Sequence, residues 1–270
     1  MSQAPRDGTR RGIPLRAVVP NAVTALALCV GLSGVRFAIA GEWERAVYAI
    51  VIAAVLDGMD GRIARMLKGQ SRFGAELDSL SDVIAFGVSP AIILHLWSLQ
   101  HWPRFGWMFA LAYAVCAALR LARFNAMIDV KDQPHKSAGF LTGAPAPAAA
   151  GLLLLPIYLW LASDREWEVL KNIWITAPWA AAVAVLMISN IATFSWTSLR
   201  LRSHVRLWVL AVVALIGGAL VTAPWHALSA FALIYAALIP FSIWSYASVR
   251  RRRAAAAANS APKPGPEQAS

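Results

Sequence analysis

Charge is scarce in this chain: Asp, Glu, Lys and Arg make up 14% of its 270 residues. With 59% hydrophobic residues and a mean hydropathy of +0.56, that is too little polar surface to cover a soluble domain. Cysteine is nearly absent. Cys29 and Cys116 lie inside apolar runs, so they read as small core residues rather than as a disulfide or a thiolate metal pair. The histidines are few as well, and His95, His101, His135, His204 and His226 show no metal-ligand spacing. The chain has no phosphate-cradling G-x-x-x-x-G-K-[ST], no nucleophile elbow G-x-S-x-G and no zinc helix H-E-x-x-H. Acids number 14 against 25 Lys and Arg, a net charge of +11. That surplus does not point to nucleic acid, because the basic residues cluster between apolar runs, as membrane orientation requires. Sequence repeats and a low-complexity core are also missing.

What is abundant is apolar sequence. Runs near the roughly 20 residues that a helix needs to cross a bilayer fall at 18–40, 43–67, 74–99, 104–125, 144–162, 173–194, 205–222 and 225–247. They predict an all-α fold, a polytopic transmembrane helix bundle of about eight spans occupying 18–248. Short splits at Gly41 and at Ala223-Pro224 predict tight hairpins. Pro20-Asn21 reads as a first helical turn. Residues 1–17 form a basic segment with Arg6, Arg10, Arg11 and Arg16. Residues 249–270 carry Arg250, Arg251, Arg252 and Arg253 and then alanine, proline and serine, a composition that predicts disorder. The basic start, the first run and Ala38-Ile39-Ala40 imitate a cleavable leader; the run is nearer a full span, so retention is expected. Twenty of the Lys and Arg fall at helix ends and loops on the side of both termini, against Arg36, Arg45, Arg104, Arg165 and Lys171 on the other. Both termini are therefore predicted to be cytoplasmic.

Against this background residues 57–82 stand out: D-G-M-D-G-R-I-A-R-M-L-K-G-Q-S-R-F-G-A-E-L-D-S-L-S-D. On a helix Asp57, Asp60, Gly61 and Ala64 share one face. Gly74, Asp78 and Asp82 repeat every four residues and share another. The basic turn at 66–72 has a length that joins two antiparallel helices, so the two acidic faces meet. Four carboxylates placed together repel, and in a membrane their desolvation is costly. Divalent cations between them remove the repulsion, and carboxylate oxygens suit Mg²⁺ or Mn²⁺. A shared cage of Asp57, Asp60, Asp78 and Asp82 suggests two ions, roughly 3.5–4 Å apart in sites that clamp a phosphoryl group. Gly61 and Gly74 leave room for a ligand to approach, and Arg65 can hold a phosphate or a carboxylate. The competing reading is a polar path through a transporter; it expects a second matching half, which the sequence lacks.

Two other places carry polar chemistry. Arg120, Arg123 and Asn125 end the fourth run, followed by Lys131, His135 and Lys136. Their plain reading is snorkelling topology anchors; together they can also receive an anionic headgroup or a substrate carboxylate. The stretch F-L-T-G-A-P-A-P at 140–147 is a helix-start signal. Ser189, Asn190, Thr193, Ser195 and Thr197 near the end of the sixth run read as helix–helix hydrogen bonders.

The spacing D-x-x-D-G-x-x-A-R-x8-G-x-x-x-D-x-x-x-D, met here at Asp57, Asp60, Gly61, Ala64, Arg65, Gly74, Asp78 and Asp82, resembles the signature of the CDP-alcohol phosphatidyltransferases. The flanking S-R-F-G-A-E-L-D-S, F-G-V-S-P-A, L-R-L-A-R-F-N and G-A-P-A-P are similar to the membrane-integral phosphatidylserine synthases of bacteria and archaea. Ala85-Phe86 departs from the Ser-Phe expected there. The resemblance runs from Pro20 to about Arg200. It implies transfer of a phosphatidyl group from CDP-diacylglycerol to L-serine, in the cell's inner membrane with the site facing the cytoplasm, by a homodimer. It places Asp57, Asp60, Asp78 and Asp82 on Mg²⁺ or Mn²⁺, and Gly61, Ala64, Arg65 and Gly74 around the CDP moiety. It makes Asp82, which lies last and one turn deeper, the general base. Sister transferases that use glycerol 3-phosphate, inositol phosphate or choline share the cage, so the acceptor stays open at this point.

Overall fold

In hydrocarbon every backbone N–H and C=O needs an internal partner, so apolar runs of this length become helices. The computed structural model describes residues 15–67, 69, 71–102, 104–126, 140–142, 145–189, 192–194 and 206–239. Helices α1 (Leu15–Ile39) and α2 (Trp43–Met66) form an antiparallel hairpin. Gly41 turns it at φ +74°, with Gly41 N–H donating to Ala38 C=O at 3.0 Å and Glu42 N–H to Phe37 C=O at 2.9 Å. This is the left-handed C-terminal cap that glycine adopts without steric cost. Then come α3 (Arg72–Asp82), a π-helical turn (Val83–Val88) and α4 (Ser89–Trp97), which run on as a single 26-residue rod. Next in order are α5 (Gly106–Ala126), strand β1 (Phe140–Thr142), α6 (Ala146–Leu153), α7 (Leu155–Ala162), α8 (Ile173–Ile188), strand β2 (Ala192–Phe194), α9 (Arg206–Thr222) and α10 (Pro224–Ile239).

Val18–Ile39, Arg72–Trp97 and Gly106–Ala126 are long and apolar enough to cross a membrane, so the protein is a membrane protein. Helix α2 has 24 residues, but Asp57, Asp60, Arg62 and Arg65 make its last turns polar. The helices approach closely through small residues, as packing in lipid demands. A Cβ on Gly31 would lie 2.8 Å from Ala85 Cβ, and one on Gly34 3.1 Å from the Ala46 carbonyl oxygen.

Prolines account for two of the irregularities. Pro90 lacks the N–H that would reach the Phe86 carbonyl. The fully buried Tyr113 donates its hydroxyl to that oxygen instead, at 3.0 Å. Pro156 likewise frees the Leu152 carbonyl, and the Trp179 indole takes it at 2.8 Å. Side chains from neighbouring helices thus keep broken helices satisfied inside the bundle.

Several expectations are corrected. Pro20 lies inside α1, which begins five residues earlier at Leu15. The run at 144–162 is two eight-residue helices, split at Leu154 just ahead of Pro156. The run at 173–194 stops being helical at Ile188, where Ser189 donates back to the Leu186 carbonyl at 2.7 Å. Its last residues pair antiparallel with β1, Phe140 opposite Phe194 and Thr142 opposite Ala192, so the described fold is helical apart from this small ribbon. Cys29 is exposed rather than a core residue; an outward face in a membrane meets lipid and is apolar without being buried by protein. Lys131, His135, Lys136, Asn190, Ser195, Thr197, residues 1–14 and the tail at 249–270 lie outside the described residues.

Away from the acidic stretch, the other end of the bundle is tied by side chains. Ser98 Oγ meets Thr176 Oγ1 at 2.7 Å and donates to the Lys171 carbonyl at 2.8 Å. Arg165 pairs with Glu44 at 2.9 Å, and Lys171 lies 4.2 Å from the Trp160 ring centroid. The Lys171 ammonium also holds the Glu168 carboxylate below the usual glutamate range.

Candidate active site

The last turns of α2 and the first turns of α3 present the two acidic faces expected from the spacing. Ser71 caps α3 by accepting the Gly74 N–H at 3.0 Å, which satisfies one of the free donors at a helix start. Oxygens of Asp57, Asp60 and Asp78 lie within 4.8 Å of one another. Asp60 is buried, with 5% exposure. Its Oδ2 accepts the Thr24 hydroxyl at 2.6 Å, while that hydroxyl's alternative acceptor, the Pro20 carbonyl, is 3.2 Å away. With one proton to give, Thr24 favours the shorter, charge-assisted bond. Ser81 in turn donates to the Thr24 carbonyl at 3.3 Å, fixing α1 against α3.

Asp82 lies outside this group of three but beside Asp57. Its Oδ1 is buried and has no partner among the described residues. None of the four carboxylates forms an ion pair with a described residue. Three converging carboxylate oxygens without a cationic side chain, with a fourth carboxylate beside Asp57, fit a hard divalent ion by both charge and donor type.

A cleft of about 300 Å³ opens beside the acidic group. Pro20, Asn21 and Thr24 of α1 form one wall. Asp60, Gly61, Ala64 and Arg65 of α2 form another, and Gly69, Ser71, Gly74, Ala75 and Asp78 complete it. Gly61, Ala64, Arg65 and Gly74, singled out from the sequence, therefore line one cavity with two of the carboxylates. A Cβ on Gly61 would meet nothing within 4 Å, so that position opens on the cleft. Gly74 differs. A Cβ there would lie 2.7 Å from Asn21 Oδ1 and 3.1 Å from Ser71 Oγ, so a larger residue would have to displace those side chains.

The end of α5 separates into three roles. Asn125 Nδ2 donates to Ser79 Oγ at 2.9 Å and Arg123 Nη1 to the Ile188 carbonyl at 3.3 Å. Both join α5 to its neighbours. Arg120 points inward instead. Its Nε is buried without a hydrogen-bond partner among the described residues, and it lies near Asp82.

The sequence reading missed Thr24 and Ser71, and took Asn21 only as a helix opener. Asn21 and Thr24 are polar residues three apart in an otherwise apolar span, which is itself a signal of function in a membrane. Ser71 three residues before Gly74 is a capping signal.

Comparison with known proteins agrees with this geometry. The CDP-alcohol phosphatidyltransferase family model matches residues 17–196, and the model described as CDP-alcohol phosphatidyltransferase 2 matches residues 204–240. A protein of Mycobacterium tuberculosis named CDP-diacylglycerol–serine O-phosphatidyltransferase is 38% identical over 236 residues, covering 87% of this chain and 81% of its own. Proteins of the same name in Helicobacter pylori and Methanocaldococcus jannaschii are 32% identical over 218 residues (80% and 86% covered) and 35% identical over 142 (53% and 60% covered). With a family match spanning most of its length and relatives this similar, the chain belongs to the CDP-alcohol phosphatidyltransferase family.

Proposed function

We propose that this enzyme transfers a phosphatidyl group from CDP-diacylglycerol to L-serine, giving phosphatidylserine and CMP. The observation that carries the reading is the convergence of Asp57, Asp60 and Asp78 beside a cleft lined by Gly61, Ala64, Arg65 and Gly74. The names of the similar proteins support serine as the acceptor. Asp57, Asp60, Asp78 and Asp82 would hold Mg²⁺ or Mn²⁺, two ions in this reading, which would neutralise the diphosphate and stabilise the charge that develops on it. Gly61 and Ala64 keep the face of α2 low enough for the nucleotide to lie against it. Arg65 pairs with a phosphate. Asp82 accepts the proton of the serine hydroxyl as that oxygen attacks the phosphorus bearing diacylglycerol; the bond from that phosphorus to the bridging oxygen breaks, and CMP leaves. The displacement is direct, without a covalent enzyme intermediate.

The chain is placed in the inner membrane as a homodimer with about eight spans, its transmembrane domain at 18–248. Both termini and the cleft face the cytoplasm. CMP release from CDP-diacylglycerol, measured with serine, glycerol 3-phosphate, inositol phosphate and choline in turn, tests the reaction. Release with serine alone is expected. Release with another acceptor instead would make the chain a sister transferase, and no release with any would favour a transporter.

Topology has a separate test, motivated by the asymmetry of Lys and Arg. After Cys29 and Cys116 are replaced, single cysteines at Leu67 and Lys171 are expected to react with an impermeant thiol reagent from opposite sides. Reaction of both from outside would reverse the orientation. Thr24→Val removes the donor to Asp60 Oδ2 at nearly constant volume. Loss of a residue that orients a metal-holding carboxylate costs roughly 10–100-fold in metal affinity or activity, so half-activation should need correspondingly more Mg²⁺. An unchanged activation curve would separate Thr24 from the site.

A further inference from the structure

Asp78 and Asp82 stand near the start of the rod Arg72–Trp97, whose far half is buried in the core. A helix turns roughly 100° per residue, so the face that carries Gly74, Asp78 and Ser81 would continue through Ile92 and Leu96. Those two are only partly buried. Helix α4 instead buries Pro90, Ile93, Leu94 and Trp97, one position later. The π-helical turn at Val83–Val88 supplies the difference by taking in one extra residue, and Ser89 N–H reaches back five residues to the Ile84 carbonyl. Such turns are rare and frequent at functional sites, and this one begins at the residue after Asp82. It therefore sets the direction of the Asp82 face against a half of the rod that the core holds fixed.

The turn is gripped from two sides. Gly31 of α1 lets Ala85 in close, and a Cβ on Gly87 would lie 3.0 Å from Ala117 Cβ of α5. To these apolar contacts Tyr113 of α5, fully buried, adds a hydrogen bond, its hydroxyl donating to the Phe86 carbonyl at 3.0 Å. Pro90, four residues on, cannot offer that carbonyl the usual helical N–H.

We infer that Tyr113 is a positioning residue for the transfer: its hydroxyl holds the π-helical turn that aims Asp82 at the reacting centre. The inference rests on the proposed role of Asp82 and adds to it a residue on another helix. Without the hydroxyl, a buried carbonyl inside the turn has no donor, which is costly. The turn then loosens and Asp82 loses its fixed direction. A misplacement of about 1 Å in a reacting group costs on the order of 10²-fold. Every residue lining the cleft precedes Asp82, Asp78 being the last of them, so binding of the nucleotide lipid is largely spared.

The experiment compares four full-length proteins in detergent with Mg²⁺, CDP-diacylglycerol and serine: the unaltered chain, Tyr113→Phe, Pro90→Ala and the double variant. Tyr113→Phe keeps the buried ring and removes one oxygen. It is expected to lower kcat by roughly 10–100-fold while the KM for CDP-diacylglycerol stays within about threefold. Pro90→Ala returns an N–H to the position from which it can reach the Phe86 carbonyl. In that background the same Tyr113→Phe exchange should change kcat by less than about threefold, the non-additivity expected of two groups that serve one acceptor. A lowered thermal midpoint with kcat unchanged would make Tyr113 a packing residue and overturn the inference, as would an equal loss of kcat in both backgrounds. The split between kcat and KM is read on Tyr113→Phe by itself, so the test stands whatever Pro90→Ala does to folding. Near-normal turnover in Asp82→Asn, or no transfer to serine by the unaltered chain, would overturn the proposed mechanism and this inference with it.

Discussion

Exchange of Asp78 for asparagine is expected to lower CMP release by roughly 10³-fold or more, since metal neutralisation of a phosphoryl group is worth several kcal/mol and each 1.4 kcal/mol is tenfold. Asp78 supplies the α3 member of the carboxylate group, facing Asp57 and Asp60 from α2. Asparagine keeps the shape and one oxygen but removes the charge that a divalent ion requires. Excess chelator should abolish activity of the unaltered chain, and Mg²⁺ or Mn²⁺ should restore it. A structural defect would look different. Without metal the three carboxylates repel one another, so Asp78→Asn should hold or raise the thermal midpoint of the metal-free protein while activity disappears. Full turnover in chelator would end the metal reading.

Asp82→Asn is expected to separate binding from chemistry. Transfer should fall by roughly 10²–10⁴, the usual worth of a positioned general base. The KM for CDP-diacylglycerol should rise less than in Asp78→Asn, because Asp82, though assigned to the metals, stands outside the group of three and does not line the cleft. Its buried Oδ1 has no partner among the described residues, so the variant's amide neither breaks a protein hydrogen bond there nor alters the volume. The contrast with Asp78→Asn is the informative part: one variant loses metal and turnover together, the other chiefly turnover. Near-normal turnover in Asp82→Asn would remove it from the mechanism.

The acidic site was legible because helical spacing is local. Carboxylates at i and i+3 on α2, and at i and i+4 on α3, share a face whatever surrounds them, and a short turn leaves few ways to arrange the two helices. The same logic found Gly61, Ala64, Arg65 and Gly74, all of which line the cleft. What hydropathy missed depends on contacts distant in sequence. A hydropathy pattern does not show that Trp179 would stabilise a break ahead of Pro156, or that β2 would leave the helical run to pair with β1. Arg120 and Arg123 look alike in L-R-L-A-R-F-N. Only packing turns the first toward Asp82 and the second toward the end of α8. Gly74 was read as room for a ligand; it lines the cleft, with the Asn21 and Ser71 side chains close against it.

Manganese binding to the purified chain, followed by electron paramagnetic resonance, tests the role assigned to Asp57, Asp60 and Asp78 without relying on turnover. The unaltered protein is expected to take up Mn²⁺, more tightly when CDP-diacylglycerol is present, and Asp78→Asn is expected to lose that binding at the same protein concentration. Equal Mn²⁺ binding by the two proteins, with and without the nucleotide lipid, would contradict it.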